Sequence, residues 1–99
     1  MEALLMATLN ENDVRKNLES LPGWKLAGKA IERQIEFPDF KAAMKFVNAV
    51  AEAAESANHH PDITINYNKV RFALISHDSG GVTQRDLKMA GKINQLLGK

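Results

Sequence analysis

Apolar positions divide the chain into five patterned segments. Val14, Leu18 and Leu21 fall at helical spacing behind Asn10, a good N-cap residue, with Asp13 three residues on as its capping partner. Pro22-Gly23 ends that segment. From Trp24 to Phe37 the pattern reads as a hairpin, and a two-residue turn at Gly28-Lys29 sets Leu26 opposite Ile31 and Lys25 opposite Glu32. Trp24, Leu26, Ile31, Ile35 and Phe37 then share one face, which Arg33 interrupts with its stem packed over the Trp24 ring. Asp39, after Pro38, caps the longest helix, where Phe40, Ala43, Met44, Val47, Val50, Ala51 and Ala54 keep the i, i+3, i+4, i+7 rhythm. Phe46 lies off this stripe, near Ala42, Ala49 and Ala53. That second strip reads equally as a subunit contact or as an exposed alanine-rich face. Pro61 drives His60 out of the helical region, so the helix ends near Asn58.

Alternation returns in ITINY and KVRFALIS. A turn at Asn68-Lys69, where Asn tolerates left-handed geometry, pairs Tyr67 with Val70, Ile65 with Phe72 and Ile63 with Leu74. Thr83 opens the last helix with Asp86 at the capping-box position, and Leu87, Ala90, Ile93 and Leu97 give it an apolar face. The order helix, hairpin, long helix, hairpin, helix predicts an α+β fold. It is a four-stranded antiparallel sheet with three helices packed on one face, forming a single domain over residues 1–99.

Composition narrows the function. The 13 basic and 12 acidic residues are scattered, with no basic stripe to support nucleic-acid binding. There is no cysteine, which excludes disulfides, thiolate ligands and cysteine nucleophiles. The opening MEALLMATLN lacks a basic leader and is too short to span a bilayer. It reads as a loosely ordered terminus of a cytoplasmic protein with no membrane contact.

The chain has three histidines, and two of them, His59 and His60, stand side by side before Pro61. Carrying the second hairpin's register one step further sets His60 opposite His77, with their Cβ atoms roughly 5 Å apart. All three imidazoles then gather on the open side of the sheet, beside the Asp78-Ser79-Gly80-Gly81 loop. Imidazole gives or takes a proton near neutral pH, and such general acid–base help is typically worth about 10²–10⁴ in rate. Glu55 and Asp86 are placed to orient the rings or fix a polar substrate. Each also has a plainer reading. Asp86 serves as the capping partner of Thr83, Glu55 is a solvated helix residue that opposes the helix dipole, and Gly80-Gly81 is a turn without the phosphate-loop lysine. Three histidines also suit zinc, although adjacent His59 and His60 diverge as ligands and the H-E-x-x-H spacing is absent.

Glu55, His59-His60-Pro61, Tyr67, His77 and Asp86, in that order and spacing, resemble the signature of the pterin-4a-carbinolamine dehydratases. LPGW (21–24), FPDF (37–40), YNKV (67–70) and GGVTQRD (80–86) extend the resemblance over most of the chain from about residue 10. Asn58, Ile63 and Ser79 depart from residues common in the family. The resemblance implies the same α+β fold and dehydration of a 4a-hydroxytetrahydropterin to the quinonoid dihydropterin, in recycling of the pterin cofactor. It implies that His59, His60 and His77 carry the proton transfers. It further implies that Glu55, His59, His60, Pro61, Ser76, His77, Asp78, Ser79 and Asp86 line the substrate site. No metal or cofactor is implied, and a homodimer or homotetramer is. Some family members bind a transcription factor, so a non-catalytic binding module is the alternative.

Overall fold

The computed structural model describes residues 8–98, so the reading of the terminus falls outside the described residues for positions 1–7. Asn10 Oδ1 accepts from the Asp13 N–H at 2.8 Å and starts α1, Glu11–Leu18, as its residue type foretells. Strands β1 (Lys25–Ala27) and β2 (Ala30–Glu36) form the first hairpin in the predicted register, Leu26 against Ile31 and Lys25 against Glu32. Asp39 caps α2, Phe40–Ala57, by accepting from the Ala42 N–H. Strands β3 (Asp62–Asn66) and β4 (Lys69–Leu74) follow, then α3, Gln84–Leu97, opened by the Thr83–Asp86 capping box. The sheet order is β1-β2-β4-β3, antiparallel throughout.

Alternation decides which face is core. Ile31, Val70, Phe72 and Leu74 are fully buried beneath the helices, together with Val50 of α2 and Ile93 of α3. On the opposite face Arg71 pairs with Glu32 at 3.0 Å, and Lys25 approaches the same carboxylate. That face is polar, so a one-residue slip of register would bury charge. No described helix is long and apolar enough to cross a membrane.

Two expectations are corrected and a third is carried further. The second hairpin turns at Tyr67-Asn68, one position earlier than expected, and pairs Ile63 with Phe72 and Ile65 with Val70. The face of each residue survives because the pairing shifts by two, one full pleat. Asn68 is committed elsewhere: its Nδ2 donates to Phe37 O at 2.8 Å while Phe37 N–H donates to Asn68 O at 2.8 Å. The left-handed backbone therefore falls on Tyr67, φ 55°. Second, Phe46 packs inward, 5.3 Å from the Phe37 ring and 5.8 Å from Phe72, so it belongs with the core and not with a surface strip. Phe40 and Ala51 are exposed, which narrows the buried stripe of α2. Third, the Arg33 guanidinium donates to Asn94 Oδ1 and to Pro22 O, and the Trp24 indole N–H donates to the same Asn94 oxygen. Arg33 and Trp24 thus meet through an amide of α3.

Tyr67 is 64% exposed, so its ring gains little from packing to offset a conformation that costs L-residues roughly 1–2 kcal/mol. Tyr67→Gly is expected to raise stability by about 1 kcal/mol in denaturant unfolding. A loss of stability would show that the ring makes a contact worth more than the strain.

Candidate active site

The site begins with how α2 stops. Asn58 adopts the left-handed conformation, φ 52° and ψ 42°, which Asn tolerates better than other L-residues. Its N–H donates to Glu55 O, and the next N–H, of His59, reaches back to Ala54 O at 3.1 Å. This Schellman arrangement satisfies the last carbonyls and fixes the direction in which His59 leaves the helix.

His59 points inward. It is 8% exposed, and its Nε2 lies 2.5 Å from Asp86 Oδ1. Asp86 is completely buried in the first turn of α3. Its Oδ2 accepts from the Thr83 N–H at 2.9 Å and from Ser76 Oγ at 2.9 Å. Ser76 spends its one hydroxyl proton on Asp86, so Thr83 Oγ1 is the donor in the 2.8 Å contact between the two hydroxyls. A buried carboxylate is tolerated only with such a set of donors. While Asp86 is ionised it has no proton to give, so the shared proton resides on His59 Nε2 and Nδ1 is the ring atom left for exchange.

His60 points outward. Its Nε2 meets Glu55 Oε2 at 2.6 Å, one turn back along the chain, and both side chains are exposed. This explains a carboxylate set against the helix dipole: Glu55 answers to His60. An exposed pair of this kind contributes little to stability. Pro61, half-buried, carries the chain into β3.

The register places His77 differently from expectation. The β3–β4 ladder starts at Asp62 paired with Ala73, so His60 does not stand opposite His77. The histidines do not share the open sheet face either, since His59 turns toward the helices. What joins them is the network. His77 directly follows Ser76, which is fully buried and tied through Asp86 to His59. His77 is exposed and, among the described residues, has no side-chain hydrogen-bond partner. No three His, Asp or Glu side chains among the described residues are grouped as metal ligands. Asp78 faces Arg85 Nη2 at 3.7 Å, and Arg85 Nε is buried without a partner among the described residues. Ser79 donates its N–H to Ser76 O within the loop. Thr83 caps α3 as its residue type foretells, its Oγ1 accepting from the Arg85 N–H. Arg85 carries no expected role, and its only signal is adjacency to Asp86.

A groove of about 1180 Å³ runs along the seam of α2 and α3. Ala49, Ala53 and Met89 line it, with Glu52 on one wall and Lys88 and Lys92 on the other. It ends at His59 and Arg85, and neither His60 nor His77 lines it. His60 and His77 are both exposed and stand outside this seam.

Residues 7–96 match the family model for pterin 4 alpha carbinolamine dehydratase. A protein of Acidobacterium capsulatum, provisionally named pterin-4-alpha-carbinolamine dehydratase, is 56% identical over 93% of this chain and 100% of its own length. One of Koribacter versatilis with the same provisional name is 58% identical over 90% of this chain and 95% of its own. A crystal structure from Brucella melitensis, described as a transcriptional coactivator/pterin dehydratase, superposes with a TM-score of 0.86 at 37% identity, covering 90% of this chain and 97% of that one. A pterin dehydratase-like protein identified as a RuBisCO assembly factor shares the fold, with a TM-score of 0.68 at 20% identity over 78% of this chain and 92% of that one. The match spans both hairpins, the three described helices and the paired histidines and carboxylates at their junction, and on it the chain belongs to the pterin-4a-carbinolamine dehydratase family.

Proposed function

We propose that the chain works as one domain that dehydrates a 4a-hydroxytetrahydropterin to the quinonoid dihydropterin and water. The observation that carries this reading is the pair of histidine–carboxylate contacts at one corner, His59 with Asp86 and His60 with Glu55. Loss of the 4a hydroxyl needs a proton delivered to that oxygen. The C–O bond then breaks, the neighbouring ring nitrogen supplies its electron pair, and a base takes the proton from that nitrogen. Water leaves with the acid's proton, so one acid and one base complete the cycle. His60 and His77 are exposed and can meet a heterocycle arriving from solvent. His59 is held from behind by Asp86, with Nδ1 as its exchangeable position. Pro61, Ser76, Asp78 and Ser79 frame the same corner.

A homodimer or homotetramer in the cytoplasm, acting on a free pterin, is the setting that the family suggests. A binding role on the same fold is the second reading, favoured by the groove along α2 and α3 and by the double description of the Brucella melitensis structure.

The test is the decay of enzymatically generated 4a-hydroxytetrahydropterin, followed by absorbance with and without the protein. Decay faster than the uncatalysed baseline by about 10² or more is expected. Decay at the baseline would sink the dehydratase reading and favour the binding role.

A further inference from the structure

The segment from Ser76 to Gly81 is a tight loop closed at its feet. Ser76 N–H donates to Gly81 O at 2.9 Å, and the Ser79 and Gly80 N–H groups turn back to Ser76 O. Both feet are buried, Ser76 by its bonds to Asp86 and Thr83, and Gly81 beneath a second segment of chain. The tip, carrying His77, Asp78 and Gly80, is exposed.

That second segment is Thr8-Leu9. Thr8 Oγ1 donates to Ser79 O at 2.6 Å, across 71 residues of sequence. Leu9 N–H donates to Val82 O at 2.9 Å, just beyond the loop. The fit is close: a Cβ added at Gly81 would stand 2.6 Å from the Thr8 methyl carbon. Thr8 is exposed and contributes little to the core. Its hydroxyl instead ties a loop carbonyl two residues from His77.

We infer that Thr8 is a positioning residue for the His77 loop, a strap that holds the loop tip in the geometry the substrate meets. The inference rests on the reading of His77 as a substrate-facing group. The strap acts on backbone, so it restrains His77, Asp78 and Ser79 together. Glycine at position 81 is required by the strap's methyl and not by backbone conformation, since Gly81 has no positive φ while Gly80 has one of 78°.

The full-length chain tests this with four variants: Thr8→Val, Thr8→Ser, Gly81→Ala and the double variant Gly81→Ala/Thr8→Ser. Two readouts are needed, amide hydrogen exchange at residues 77–80 without substrate, and dehydration kinetics. Thr8→Val removes the hydroxyl and sets a methyl that Ser79 O cannot hold in its place, so it should speed exchange at the tip by at least about five- to tenfold, the worth of one hydrogen bond. The dehydration rate constants should fall by a similar factor, with the melting temperature lowered by only about 4–8 °C. Thr8→Ser keeps the hydroxyl and should behave as wild type. Gly81→Ala should loosen the tip by clashing with the Thr8 methyl, and the double variant, which lacks that methyl, should recover. Wild-type exchange and kinetics in Thr8→Val would overturn the inference. So would faster exchange with unchanged dehydration, or a Gly81→Ala defect that Thr8→Ser fails to relieve. If the wild-type chain itself leaves pterin decay at its baseline, the function proposed above falls, and the exchange rates alone decide whether the strap holds the loop.

Discussion

Asp86→Ala is expected to destabilise the fold by about 3–5 kcal/mol, because it leaves the buried donors of His59, Ser76 and Thr83 without their shared acceptor. The carboxylate serves His59, Ser76 and the Thr83 backbone at once, and alanine abandons all three. For a chain of this size the loss reads as a drop in melting temperature of roughly 10–25 °C. Asp86→Asn separates charge from shape. The amide oxygen can still accept from Ser76 and Thr83, but the amide N–H₂ then faces His59 Nε2 and forces the imidazole proton onto Nδ1. Its stability cost should be smaller, about 1–2 kcal/mol. Dehydration should nevertheless fall as far as in Asp86→Ala, because the exchangeable ring position is now reversed. An Asp86→Asn protein with full activity would show that the His59 tautomer is irrelevant to turnover. An Asp86→Ala protein melting within a degree or two of wild type would show that the buried network does not hold the corner together.

His60→Ala and His77→Ala should produce the opposite pattern. Both side chains are exposed and neither supports the core, so thermal unfolding should be unchanged. Loss of either proton carrier should lower the dehydration rate by about 10²–10⁴, the usual contribution of a positioned acid or base. Full rate in both variants would remove these residues from the chemistry, whatever the fold resembles. The contrast with Asp86 is diagnostic. A variant at the buried anchor loses stability and rate together, whereas a variant at the exposed groups loses rate alone.

Local chemistry made much of this fold legible in the sequence. The caps Asn10, Asp39 and Thr83–Asp86 are short-range devices whose partners lie within three residues. The first hairpin's register follows from Gly28, whose φ of 62° suits the turn placed there. The second hairpin was misplaced because the choice depended on a distant partner. Asn68 is the better left-handed residue by type, but its amide is engaged with Phe37. That error carried into the expected meeting of His60 and His77. The end of α2 still falls where Pro61 requires, at Asn58, and so fixes where His59 and His60 leave the helix. Asp86 was visible as a capping residue. Its second role needed the buried Ser76 and His59, which only the packing of α3 against the end of α2 brings to it. Thr8 lies in a stretch that reads as a loose terminus, and its contact spans 71 residues of sequence. Long-range polar contacts of this kind leave no local pattern to read.

The Asn94 amide that gathers Trp24 and Arg33 also makes the molecule optically transparent in a useful way. Trp24 is the single tryptophan, 5% exposed, with its indole N–H on Asn94 Oδ1. Asn94 shares α3 with Asp86, about 12 Å further along the axis at the rise of an α-helix. Indole emission therefore reports on the seating of α3 from the end remote from the histidines. A substitution at the corner that shifts this emission has loosened the helix, and one that silences turnover while leaving the spectrum alone has acted on the chemistry.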